Sequence, residues 1–85
     1  MDRSEVAEKL KTYIKTELLN NPDYALGDDE PLISGGLLNS FALAQIGVFV
    51  EEEFDVLIRD DELSVERMDT ISQMTDRIIE TIGAS

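Results

Sequence analysis

The sequence of 85 residues contains no cysteine and no histidine, and only seven of its residues are lysine or arginine. Without cysteine and histidine the chain cannot form a Ser-His-Asp or Cys-His catalytic group, a disulfide, or a zinc site of thiolates and imidazoles. The few basic residues are scattered, so they do not form the patch that would displace counterions from DNA or RNA phosphates. These absences argue against a hydrolase, a zinc protein and a nucleic-acid-binding protein.

Long hydrophobic runs are also missing. The longest, residues 41–50, is interrupted by Gln45 and is far too short to span a bilayer. Residues 1–5 are mostly charged, unlike the start of a secretory signal peptide. We therefore expect a cytoplasmic protein with no membrane span.

Three binding motifs that depend on glycine do not match the sequence. Gly35 and Gly36 belong neither to a phosphate-binding loop nor to a dinucleotide-binding fingerprint. A calcium loop beginning at Asp28 or Asp60 would need glycine at its sixth position, where the chain has isoleucine or valine. We expect no dedicated metal site, and we interpret the acidic runs as solvated faces.

Acidic residues dominate the charge: 19 Asp and Glu give a net charge of -12. The negative electrostatic field that this charge creates around the protein disfavours anionic partners and favours basic docking surfaces on other proteins. A hydrophobic content of 42% still indicates a folded core. The length predicts a single domain over residues 1–85, with little interior for an enclosed catalytic pocket. We expect the protein to be a monomer. We therefore expect that the chain is not itself an enzyme.

Apolar spacing predicts the first helix. Val6, Leu10, Ile14 and Leu18 follow each other at i, i+4 steps, which is the pattern of an amphipathic helix. Asp2 and Glu5 resemble a capping box at its start, and residues 20–22, Asn-Asn-Pro, should end it.

A long loop and a second helix follow. Residues 22–39 hold both prolines and three glycines, and five apolar residues could pack this loop against the core: Leu26, Leu32, Ile33, Leu37 and Leu38. The second helix should start at Asn39 or Ser40 and extend to about Glu53. Its buried stripe is predicted to contain Leu43, Ile46, Phe49, Val50 and Phe54.

The remaining helices complete an all-α fold. A short third helix or turn is expected around Asp60 to Arg67. Thr70 and Gln73 form a capping box for the last helix, which Gly83 should end. The predicted architecture is an antiparallel four-helix bundle of three main helices and one short third helix.

Ser40 is the candidate functional residue. Its hydroxyl should be accessible at the first turn of the second helix, directly after a glycine-containing loop. No base is nearby in the sequence to activate it, so a separate enzyme would have to modify it. A phosphodiester there would be favoured by the helix dipole and free backbone N–H groups. The simpler alternative is that Asn39 or Ser40 merely caps the helix.

Two stretches carry a family resemblance. Residues 32–41, Leu-Ile-Ser-Gly-Gly-Leu-Leu-Asn-Ser-Phe, precede residues 51–56, Glu-Glu-Glu-Phe-Asp-Val, and then Ile58. This pattern is similar to the acyl carrier protein family, whose members typically show Leu-Asp-Ser, an amphipathic helix and Glu-Glu-Glu-Phe before a short acidic third helix. The likeness extends over nearly the whole chain.

The resemblance implies an acyl carrier domain over residues 1–85. In such a protein Ser40 receives 4'-phosphopantetheine from coenzyme A, through a separate magnesium-dependent phosphopantetheinyl transferase. The arm's thiol carries acyl or aminoacyl groups as thioesters, and partner enzymes do the chemistry. In many members the helices part to shelter the cargo, for which the available lining residues here are Ile46, Phe49, Val50, Ile58, Ile71 and Ile78; they also suit an ordinary core.

The resemblance also implies partners with basic docking patches: an acyl- or aminoacyl-loading enzyme and synthase or transferase enzymes. The carboxylates available for docking are Glu51, Glu52, Glu53, Asp55, Asp60, Asp61 and Glu62.

Two positions depart from the family. Asn39 stands where the family nearly always has Asp, and Gln45 stands where fatty-acid carriers commonly have Glu. The second departure favours a specialised lipid, polyketide or nonribosomal pathway over housekeeping fatty-acid synthesis. The first leaves open an alternative function, an unmodified, carrier-like acidic interaction module without a cofactor.

Overall fold

The computed structural model describes residues 2–84, excluding the side chains of Asp60 and Ala84. Over this range all of the regular secondary structure is helical and no strand is present, which confirms the predicted fold class at that level. The four α-helices are α1 (Arg3–Tyr13), α2 (Phe41–Phe54), α3 (Val65–Met68) and α4 (Ile71–Ala84). No helix in this range is long and apolar enough to cross a membrane.

The first helix begins where the sequence predicts but changes form before it ends. The Glu5 N–H donates to the Asp2 side chain at 2.9 Å and caps α1. After Tyr13 the chain continues as one π-helical turn, Ile14–Leu18, closed by a 2.9 Å bond from the Leu19 N–H to the Ile14 carbonyl. The chain then leaves the helix at Asn20, whose φ is 53°. The regular α-helix is therefore shorter than the apolar spacing suggests, because the last turn is wider.

One hydrophobic core joins all four helices and the long loop. Val6 and Leu10 of α1 and Ile14 of the π-helical turn are fully buried. The loop contributes buried Leu26, Leu32 and Leu38, while Ile33 and Leu37 are partly buried against the core. The remaining buried apolar residues are Ala42, Leu43, Ile46, Val50, Phe54, Val56, Ile58, Met68, Ile71, Met74 and Ile78. Burial of this apolar set is the main stabilising contribution, and it packs the loop down as predicted.

The buried stripe of α2 differs from the prediction at Phe49. This residue is half-buried at the edge of α2, where its ring stacks on Tyr13 of α1 with the centroids 4.2 Å apart. Asp55 ends α2 in the left-handed conformation, with φ 55°.

The segment after α2 forms two short helical pieces instead of one. A 3₁₀ turn at Asp60–Glu62 is separated from α3 by extended Ser64. The helix and the turn that were predicted as alternatives around residues 60–67 therefore both form, and α3 continues to Met68. The capping box of α4 is confirmed: the Gln73 N–H donates to Thr70 Oγ1, and the Thr70 N–H donates to Gln73 Oε1, both at 3.1 Å. Gly83 does not end α4, which continues to Ala84, because its φ is not in the left-handed region that a glycine terminator adopts.

Candidate functional site

Ser40 lies directly before the first residue of α2, and its side chain is exposed. Its backbone is already helical, with φ -65° and ψ -21°. Capping is done by Asn39, whose Oδ1 accepts from the Ala42 N–H at 3.3 Å. The Ser40 hydroxyl has no hydrogen-bond partner within residues 2–84. The hydroxyl is therefore exposed and unbonded, since its neighbour Asn39 supplies the capping oxygen of α2.

The loop before Ser40 is compact. The Leu38 N–H donates to the Leu32 carbonyl at 2.8 Å, and this bond brings the two ends of residues 32–38 together. Within it the Gly36 N–H donates to the Ile33 carbonyl at 3.1 Å, and Gly36 has a φ of 84°. Glycine is needed at residue 36 because an L side chain rarely adopts this conformation.

Asp69, between α3 and α4, binds this loop. Its Oδ1 accepts from the N–H groups of Ile33 at 2.8 Å and of Ser34 at 3.0 Å, and its Oδ2 accepts from the Ser34 hydroxyl at 2.5 Å. Desolvation acts to raise the pKa of Asp69, but the hydrogen bonds from Ser34 and Ile33 outweigh it and lower the pKa below its ordinary value. Sequence reasoning missed this residue, since no local pattern joins positions 34 and 69.

The start of α4 holds a second part of the loop. The Ser72 N–H donates to the Asp28 carbonyl at 2.9 Å, and the Asp28 carboxylate pairs with Lys11 of α1 at 2.5 Å. The long loop is therefore anchored at two places, which explains how a segment without regular structure keeps a defined position ahead of Ser40.

An exposed apolar face continues from Ser40 along α2. We define it as Phe41, Ala44, Val48 and Leu57; the three large side chains are 81%, 55% and 68% exposed for Phe41, Val48 and Leu57. It borders a depression of about 200 Å³ lined by Ala44, Gly47, Val48, Glu51, Leu57, Ile58 and Leu63. Residues 41–50 of α2 contain no charged residue. The contribution of Leu57 to this face was not predicted from the sequence.

Three of the carboxylates proposed for docking are free. Glu51, Glu52 and Asp55 are exposed and have no ion-pair partner within the described part of the chain. They lie at the end of α2, beside the apolar face. The side chain of Asp60, also proposed for docking, lies outside the described residues.

The other three proposed carboxylates are engaged with basic residues. The ion pairs are Lys9–Glu53 at 2.8 Å, Arg59–Asp61 at 3.2 Å and Arg77–Glu62 at 2.9 Å. Glu53 also lines a groove of about 320 Å³ with Lys9 and Tyr13, towards α1. Of the six proposed carboxylates whose side chains the structure describes, three are therefore unpaired and three are paired with basic residues.

Within the described residues, no group of three or more acidic side chains is placed so that it could hold a metal ion. The proposed cargo-lining residues are buried, except for Phe49, which is half-buried at the edge of the core. The buried ones are Ile46, Val50, Ile58, Ile71 and Ile78.

Comparison with models of known protein families gives no match, and comparison with curated proteins gives none either.

Proposed function

We propose that this protein is an acyl carrier protein in which Ser40 bears a 4'-phosphopantetheine arm, and that its four helices form the antiparallel acyl-carrier bundle. The observation that carries the proposal is the exposed Ser40 hydroxyl, which is left without a hydrogen bond because Asn39 caps α2. A hydroxyl in this position can form a phosphodiester with a group delivered by a separate enzyme, while the nucleotide part of coenzyme A leaves. The protein itself would catalyse nothing.

The surroundings of Ser40 fit a phosphodiester. The backbone N–H groups of Ser40 and Phe41 have no partner within residues 2–84, and the first turn of α2 contains no acidic residue. Free N–H groups and the positive end of the helix dipole stabilise an anion there. Neutral Asn39 adds no repulsion, although it also supplies no carboxylate to the transferase and its magnesium ion.

The path beyond Ser40 suits an arm with an apolar cargo. Ala44 and Gly47 follow Ser40 at i+4 and i+7, on the same side of α2. The depression therefore begins roughly 6 Å along the helix axis from Ser40. When bound, the arm would supply the thiol that carries acyl or aminoacyl groups; the chain's own contribution would be an apolar surface on which they can rest.

The exposed apolar face and its free carboxylates support docking of partner enzymes. Phe41 and Val48 offer hydrophobic contact area close to Ser40, and Glu51, Glu52 and Asp55 offer negative charge at the other end of α2. A complementary partner would present an apolar patch with basic residues at one edge. Such partners would include the phosphopantetheinyl transferase, a loading enzyme and the synthases or transferases of a specialised lipid, polyketide or peptide pathway in the cytoplasm.

The same face also favours the second candidate, an acidic interaction module that carries no cofactor. This function needs only the apolar face and the free carboxylates, and it is compatible with Asn39 in place of Asp. The two candidates differ in whether Ser40 is required.

The test is the intact mass of the protein after incubation with coenzyme A, magnesium and a broad-specificity phosphopantetheinyl transferase. We expect a shift by one phosphopantetheinyl group in the wild type and in Ser4→Ala, but not in Ser40→Ala. Ser4 is an exposed serine of α1 and is therefore a matched control. A shift only in Asn39→Asp would indicate a dedicated transferase or a lost arm. No shift even in Asn39→Asp would reject the carrier function and leave the interaction module.

A further inference from the structure

The segment that leads to Ser40 is fixed by Asp69, a residue from the other half of the chain. Both carboxylate oxygens of Asp69 accept hydrogen bonds from this segment, at 2.8 Å from the Ile33 N–H, 3.0 Å from the Ser34 N–H and 2.5 Å from the Ser34 hydroxyl. The Leu32 N–H also donates to the Asp69 backbone carbonyl at 2.8 Å. Four hydrogen bonds from three consecutive residues therefore converge on one residue.

A backbone hydrogen bond connects the residues that Asp69 binds to the residues directly before Ser40. Leu32, which Asp69 holds by its N–H, accepts at its carbonyl from the Leu38 N–H at 2.8 Å. Leu38 is followed directly by Asn39, the cap of α2, and by Ser40. A shift of Asp69 would therefore move the residues that set where α2 begins and where the Ser40 hydroxyl points.

Asp69 is itself held in place by the start of α4. Its N–H donates to Gln73 Oε1 at 2.9 Å, and Gln73 Nε2 donates to the Glu66 carbonyl of α3 at 3.3 Å. The carboxylate is thus mounted on the junction between α3 and α4, so it can serve as a rigid attachment for the loop.

We propose that Asp69 is a positioning residue that holds residues 32–40 in the arrangement in which the Ser40 hydroxyl is presented to a modifying enzyme. This inference rests on the proposed carrier function. Ser34 is exposed and Asp69 is only half-buried, so loss of their bonds leaves the apolar core intact. The expected effect is therefore a loosened loop in a folded protein, not global unfolding.

The experiment compares wild type, Asp69→Ala, Asp69→Asn and Ile14→Val. Ile14 is fully buried in the core and makes no hydrogen bond with residues 32–40, so its truncation lowers stability without removing a bond of the Asp69 cluster. Two quantities are measured at a temperature at which all four proteins are folded: the initial rate of Ser40 modification by the transferase, and hydrogen exchange of the Ile33 and Ser34 amides. Should Asp69→Ala not fold, Ser34→Ala takes its place, since it removes only the hydroxyl donor.

We expect Asp69→Ala to be modified at least about tenfold more slowly, because a misplacement of about 1 Å can cost a hundredfold in rate. Its Ile33 and Ser34 amides should exchange faster. Asp69→Asn keeps an acceptor for both N–H groups and a donor for the Ser34 oxygen. Its rate should stay within about threefold of wild type, because neutral hydrogen bonds are roughly half as strong as charge-assisted ones.

The outcomes separate the two proposals. Modification of Asp69→Ala at the wild-type rate would overturn the positioning role and leave the carrier function standing. Equal slowing in Ile14→Val would also overturn it, since general stability would then explain the effect. A wild type that no transferase modifies would overturn the carrier function and the positioning role with it.

Discussion

A Cβ atom at Gly35 would lie closer to the Pro31 carbonyl oxygen than the 3.0 Å that real Cβ atoms keep. The backbone of the loop ahead of Ser40 therefore lies against the Pro31 carbonyl at residue 35. This carbonyl belongs to the backbone, so it cannot rotate away as the end of a flexible side chain can. Close packing at residue 35, rather than an unusual φ, is what requires glycine there.

Gly35→Ala should lower the free energy of unfolding by about 1–3 kcal/mol, because the loop must shift to admit the methyl group. Gly27→Ala is the control in the same loop, since its Cβ would meet Glu30 Cβ at an ordinary 3.9 Å. That variant should change stability by less than about 0.5 kcal/mol, or raise it slightly. Urea unfolding measures both, and equal effects of the two substitutions would contradict the close approach.

A buried hydroxyl on α4 predicts a stabilising substitution. Thr75 is 1% exposed, and its Oγ1 has no hydrogen-bond partner within the described residues. Burial of an unsatisfied hydroxyl is unfavourable, so Thr75→Val should raise the free energy of unfolding by about 1 kcal/mol. In the control Thr81→Val, a 2.8 Å bond from Thr81 Oγ1 to the Arg77 carbonyl is lost, and stability should fall by about 0.5–1 kcal/mol. A destabilised Thr75→Val protein would show that this hydroxyl is satisfied.

The lowered pKa of Asp69 predicts a pH dependence of stability. The hydrogen bonds from Ser34 and Ile33 favour the ionised carboxylate in the folded state, so the folded pKa lies below the unfolded one. Their stabilising contribution is fully present above the unfolded pKa of about 3.9, and it is lost as the pH falls through the folded pKa. Asp69→Asn should therefore be less stable than wild type at pH 7, and the difference should shrink below about pH 4.

Chemical denaturation of both proteins between pH 7 and pH 2.5 measures this difference. Every other carboxylate is present in both proteins, so the comparison isolates Asp69. A difference that stays constant down to the lowest pH would contradict the assignment.

The free carboxylates at the end of α2 predict where charge affects docking. Glu52→Lys should weaken binding of a loading enzyme about two- to fivefold, as expected for loss of an exposed ionic contact worth roughly 0.5–1 kcal/mol. Glu8→Lys makes the same charge change on α1, where Glu8 is also exposed and without an ion-pair partner in residues 2–84. It should leave affinity nearly unchanged.

Binding at low and high salt measures this effect, because steering by exposed charges is screened. Equal weakening by Glu8→Lys and Glu52→Lys would indicate that only the net charge matters, and would contradict a docking surface on α2.

The local pattern of the sequence predicted the main helices well. The i, i+4 spacing of Val6, Leu10 and Ile14 located α1, and the Thr70–Gln73 capping box located the start of α4. These features act between residues within one helical turn, so the sequence contains the whole interaction. Gly83 misled the prediction because a glycine near a helix end terminates it only when its φ is positive, and here it is not.

The candidate site was predictable in part. The position of Ser40 at the start of α2 follows from the loop and the apolar stripe, but the division of roles between Asn39 and Ser40 does not. Either residue type is a good cap, so only the orientation of the two side chains decides which one is left free.

The sequence by itself determined that this chain is acidic, lacks thiol and imidazole chemistry, and forms amphipathic helices that bury one face. Tertiary structure alone decided the bonds between Asp69 and Ser34, and which carboxylates remain free for a partner. Glu53 is paired because folding brings Lys9 within 2.8 Å, whereas Glu51 and Glu52, its neighbours in sequence, meet no basic residue in the described chain. The physical reason is distance: charge pairs and hydrogen bonds act over a few ångströms, and residues 44 positions apart come that close only after the helices have packed.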